Sequence, residues 1–73
     1  MTPRQVLENR VRADLRNITT LTATTRFDTL ACLVADTAVS WSDARKLGDC
    51  ELLRSAEHNL DILAEIWAKR NGI

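Results

Sequence analysis

Apolar residues recur three and four positions apart in three separate stretches of this chain, and that rhythm admits one kind of fold. Leu7, Val11, Leu15 and Ile18 form the first stripe, and Phe27, Ala31, Val34, Ala38 and Trp41 the second. Leu53, Ala56, Leu60, Leu63 and Trp67 form the third. Such spacing stacks side chains along one face of a helix with about 3.6 residues per turn. Only two glycines and one proline interrupt the 73 residues. The chain is therefore read as all-α, with one domain over 1–73.

Local signals place the helix ends. Pro3 suits a first turn, with Thr2 as its N-cap, and the first helix is predicted over about 3–18. Five threonines between Thr19 and Thr25 read as a connection, because threonine is a poor helix-interior residue and a fair cap. Thr22 or Thr25 can cap the second helix, predicted over about 24–41, and Thr25 with Asp28 approximates a capping box. Residues 42–47 are read as a short turn or helix, with Ser42 and Asp43 as caps. Gly48 then suits a helix C-terminus and Asp49 an N-cap. The third helix is predicted over about 50–70, with Lys69 and Arg70 opposing its dipole and Gly72 closing it.

The second and third helices make a hairpin whose seam follows a heptad pattern. Leu52, Ile62 and Ile66 lie off that seam, so the hairpin carries a second apolar face. That face can receive the first helix of the same chain or the hairpin of another copy. A chain this short buries only about 60% of its unfolded surface. The expected architecture is accordingly a helical hairpin plus an N-terminal helix, assembled as a homodimeric bundle.

The chemistry-bearing residues do not form a catalytic set. The only glycines are Gly48 and Gly72, so there is no Gly-rich phosphate loop. Cys32 and Cys50 form no CxxC pair, and His58 is the only histidine, which gives no metal set. Cys50 and His58 lie two turns apart on one helix, too far for a nucleophile–base bond. Cys32 reads as a small core residue and Cys50 as exposed near a helix N-terminus; His58 reads as a surface group. Glu57, Asp61 and Glu65 form an acidic stripe on a solvated face. No enzyme activity, cofactor or metal is expected. The longest apolar run, Leu30 to Ala35, is far short of the roughly 20 residues that span a bilayer, and no export signal is visible. A cytoplasmic location is expected, the host's cytoplasm if a phage encodes the chain.

Charge is balanced overall but divided along the chain. Residues 1–26 carry five arginines against Glu8 and Asp14, whereas residues 27–73 carry five bases against eight acids. Such a chain can pair its own ends, pair with a copy, or offer each end to a different partner. Trp41 with Arg45 and Lys46 is the candidate protein-binding surface, since Trp and Arg are enriched in binding hot spots. Trp67 is expected to pack. Arg10, Arg12, Arg16 and Arg26 are the alternative basic surface, directed at phosphate or an acidic protein.

The helical hairpin with a terminal tryptophan and an arginine cluster resembles the small accessory proteins of bacteria and phages that inhibit a host regulator, among them the quorum-sensing anti-activators of Pseudomonas phages. That resemblance implies stoichiometric binding to a host transcription factor or motor protein. Asp28-Thr29-Leu30, then Ser42-Asp43, then Ser55-Ala56 with His58 and Leu60 follow the residue order of the Hha-type modulators. The likeness needs an insertion around Gly48, and Glu57-His58-Asn59 stands where that family has Asp-His-Arg. It implies binding to a nucleoid-associated silencer. The function expected is therefore binding and inhibition or modulation of a host regulatory protein. The alternative is a small DNA-associated or silencer-binding regulator using its basic first helix.

Overall fold

Thr2 and Pro3 start the first helix as their chemistry dictates. The Gln5 amide donates to the Thr2 hydroxyl while the Gln5 side chain accepts from the Thr2 amide, a reciprocal capping box. The computed structural model describes residues 1–22 and 24–72; Ala23, inside the predicted connection, and Ile73 lie outside the described residues. Three helices result: α1 (Pro3–Thr19), α2 (Phe27–Leu47) and α3 (Cys50–Arg70). They pack as a helical bundle in which every pair is in contact.

The second helix departs from expectation at both ends. It begins at Phe27 rather than 24, with Arg26 as an N-cap that makes no side-chain cap bond. Thr25 is instead occupied in the connection, where its hydroxyl accepts from the Thr22 amide, and Asp28 turns to Arg26. Nor does the helix stop near Trp41. Ser42 and Asp43 lie inside it, because the next turn buries Ala44 completely and Arg10 of α1 grips Asp43 at 2.8 Å. Burial of Ala44 and the Arg10–Asp43 pair outweigh the two weak helix breakers. The stop comes at Gly48, whose φ of 74° permits the left-handed turn and whose amide returns to the carbonyls of Ala44 and Arg45. Asp49 follows at once as N-cap of α3, accepting from the Leu52 amide at 3.0 Å.

The core is two apolar clusters separated by a polar layer. Leu7, Val11, Ala44 and Leu52 fill one end, with Leu53 against them. Ile18, Leu30, Leu33 and Leu63 fill the other, supported by Leu21, Ile62 and Ile66. Each fully buried leucine or isoleucine stabilises the fold by about 1.5–3 kcal/mol. Between the clusters lie Asp14, Thr37, Ser40 and Asn59, all buried. Ser40 donates to Asp14 at 2.9 Å, and the Asn59 amide donates to the Val11 carbonyl at 3.2 Å. Among the described residues the Thr37 hydroxyl finds no partner.

That layer revises the predicted stripes. In α1 the inward residue between Val11 and Ile18 is Asp14, and Leu15 turns outward. In α2 the core takes Leu30, Leu33, Thr37, Ser40 and Ala44, not the seam drawn through Phe27 and Ala38. The apolar face of α3 bearing Leu52, Ile62 and Ile66 is met by α1, which thus takes the place expected of a second hairpin.

Candidate protein-binding surface

The α2 side of the seam predicted to close the hairpin stays open, whereas Ala56 and Leu63 on its α3 side are buried. Ala31, Val34, Ala35 and Ala38 of α2 stand opposite Leu60, Leu63 and Ala64 of α3 across a groove of about 480 Å3. Phe27 and Trp67 close one end, their rings 5.3 Å apart and tilted by 56°. Only Leu63 of these residues is buried; Phe27 is 50% exposed, Trp67 39% and Val34 38%. Val39, also on the outer side of α2, is 51% exposed. Among the described residues no fourth helix covers this side. An apolar strip of this kind, rimmed by charge, is the usual mark of a contact surface.

Trp41 lies one turn beyond Ala38 and is half-buried. Its indole donates to Glu57 at 3.3 Å, and the Arg45 guanidinium sits 5.6 Å from its ring centre. Arg45 and Lys46 are exposed in the last turn of α2, so the three residues named from the sequence do share one end of the helix. Trp67, expected to pack, is the more open of the two tryptophans. The signal that sequence reasoning missed is Phe27: it lies one groove-width from Trp67, and the pair makes an aromatic end wall.

The alternative basic surface is largely neutralised by the chain itself. Arg10 pairs with Asp43 at 2.8 Å, Arg12 with Glu8 at 2.6 Å, and Arg26 with Asp28 at 3.5 Å. Arg4 binds Glu8, Asp49 and Glu51 together. Of the four residues proposed, Arg16 alone has no ion pair among the described residues. Two bases of α1 are thus paired with acids that follow it, Arg4 with Asp49 and Glu51 and Arg10 with Asp43, while Arg12 is held within α1. The Leu52 amide and then the Arg4 guanidinium hold the Asp49 carboxyl below the usual carboxylate range, and Asp49 in turn raises Arg4.

The remaining chemistry-bearing groups are scattered. Cys32 is exposed, not a core residue, because α2 is turned so that Leu30 and Leu33 face inward beside it. Cys50 is exposed in the first turn of α3, and His58 lies on the surface beside Arg12, Leu15 and Arg54. Among the described residues no group of three His, Cys, Asp or Glu side chains is placed to hold a metal ion. No described helix is long and apolar enough to cross a membrane. No known protein family, curated protein or solved structure matches the chain.

Proposed function

We propose that this protein acts without catalysis, by binding another protein chain through the open face of α2 and α3, and that the resulting assembly acts on a regulatory protein of transcription. The observation that carries this reading is the uncovered apolar groove with its Phe27–Trp67 wall. A fold that holds its three helices in register yet leaves large apolar side chains in water has a use for them at an interface. Trp41, Arg45 and Lys46 extend the surface at its other end, where an aromatic ring and two cations suit an anchored contact. Both families that the sequence resembles act by binding a regulatory protein, which supports the target class. A direct DNA role is less well supported, since Arg4, Arg10 and Arg12 already hold carboxylates and would have to release them to reach phosphate.

The test is a photo-crosslinking amino acid at the exposed position 38, in cells that express the chain. A covalent protein adduct that disappears when Val34→Glu is added is the expected result. Adducts to nucleic acid, or a protein adduct indifferent to Val34→Glu, would overturn the reading.

A further inference from the structure

The outer face of α2 keeps its pattern of side-chain sizes and inverts its end charges when the helix is reversed, so it is complementary to itself in the antiparallel sense. Phe27, Ala31, Val34, Ala35, Ala38, Ser42 and Arg45 follow helical spacing along one side, and Asp28, Val39 and Lys46 border it. All are exposed except Ser42, which is half-buried. Along this face the only charges are at the ends: Asp28 in the first turn, Arg45 and Lys46 in the last.

We propose that the occupant of the groove is a second copy of this chain, with the two α2 helices antiparallel about a two-fold axis passing between Asp36 and Thr37. This names the partner of the surface argued above and rests on its being a protein-binding face. In that register Asp28 of one copy faces Arg45 of the other, Ala31 faces Ser42, Val34 faces Val39, and Ala35 faces Ala38. Each pairing occurs twice, as an isologous interface requires. Small residues at the centre allow helix axes to approach to the close end of the usual 8–10 Å range. Valines one step away fill the space on either side, and Leu60, Ala64 and Trp67 of α3 wall the partner helix in. A parallel pairing would instead set Asp28 against Asp28 and Arg45 against Arg45. Asp28 is free to make the contact, because its pairing with Arg26 is long at 3.5 Å and both side chains are more than four-fifths exposed. Arg45, on the ring of Trp41, is held at the rim where the partner's Asp28 would arrive. Burying this strip also adds the apolar area that a 73-residue bundle lacks.

Sedimentation velocity of the full chain, in reducing buffer because Cys32 and Cys50 are exposed, tests this over micromolar to submillimolar concentrations. The expected species has twice the 8.2 kDa chain mass. Asp28→Arg or Arg45→Asp alone should weaken it about tenfold in Kd, since each creates two like-charge contacts. The double variant Asp28→Arg/Arg45→Asp should recover most of the loss. Both positions are exposed, and circular dichroism of each variant is the check that its helices persist. A dimer abolished by Val34→Glu but indifferent to the charge swaps would overturn the antiparallel register. A monomer at all concentrations would overturn the second copy as occupant while leaving the crosslinking test above to decide the protein-binding reading. A dimer unaffected by Val34→Glu would overturn the second copy as occupant of this groove, and would likewise leave the protein-binding reading to the crosslinking test.

Discussion

Single residues decide which way each helix faces, and the polar layer is where they do so. Asp14, Thr37, Ser40 and Asn59 stand at one level of the bundle, each where a simple apolar repeat would put a leucine or alanine. Ser40 and Asp14 satisfy one another, and Asn59 reaches across to the backbone of α1, so the layer fixes the axial register of three helices whose apolar clusters alone would tolerate sliding. Thr37 is the exception: its hydroxyl is fully buried with no partner among the described residues. An unpaired buried hydroxyl costs about 1–3 kcal/mol, whereas an apolar group of the same shape does not. Thr37→Val therefore should stabilise the protein by about 1 kcal/mol, raising the melting temperature by roughly 4–8 °C for a domain of this size. A lower melting temperature in the variant would show that the hydroxyl is hydrogen-bonded in solution.

At the scale of helices, ends were more legible than faces. Thr2 with Pro3, Gly48 and Asp49 are read correctly from residue type because capping is local chemistry, complete within four residues. The Asp49 cap adds a tertiary partner, Arg4, at 2.6 Å. Its carboxyl therefore titrates lower in the folded chain than in the unfolded one, and the stability it contributes is present above about pH 4, the usual value for an aspartate. That contribution is lost as pH falls through the depressed folded value. Asp49→Asn keeps a good cap and removes the charge, so the drop in melting temperature between neutral pH and pH 3 should be smaller in the variant. Equal drops would mean that Arg4 adds nothing through Asp49. Faces were harder because burial is a property of neighbours. The stripe Phe27, Ala31, Val34, Ala38 and Trp41 has the right period for a core, yet Leu30, Leu33 and Ala44 win the interior with two hydroxyl residues between them. Two overlapping apolar faces on one helix cannot be ranked by period alone. The outer one became the candidate site, so the residues were visible in the sequence and their role was inverted. Where α2 ends was missed for the same reason, since Ala44 extends the helix through packing that Ser42 and Asp43 do not reveal.

Across the whole molecule, the first helix determines whether the other two form anything stable. A hairpin of α2 and α3 alone would expose Leu30 and Leu33 on one strand of the pair and Leu52, Ile62 and Leu63 on the other, because these residues meet Leu7, Val11 and Ile18. It would also leave Asp49 without Arg4, Asp43 without Arg10 and the Asn59 amide without its acceptor on Val11. Losing Leu7, Val11 and Ile18 removes three buried side chains worth about 1.5–3 kcal/mol each, comparable with the entire 5–15 kcal/mol that holds a typical domain folded. A chain spanning 26–73 is therefore expected to lose its cooperative thermal transition, with weaker helical ellipticity per residue and increased binding of an apolar dye. Full helicity and a sharp transition in that fragment would mean that α1 is an appendage rather than a third of the core, and that the α2–α3 pair finds its cover elsewhere. The same experiment bears on the open groove. If the fragment is unfolded, the surface formed by Ala31, Val34 and Leu60 exists only because α1 holds the opposite side of the bundle, and every interaction made through that surface depends on α1 without touching it.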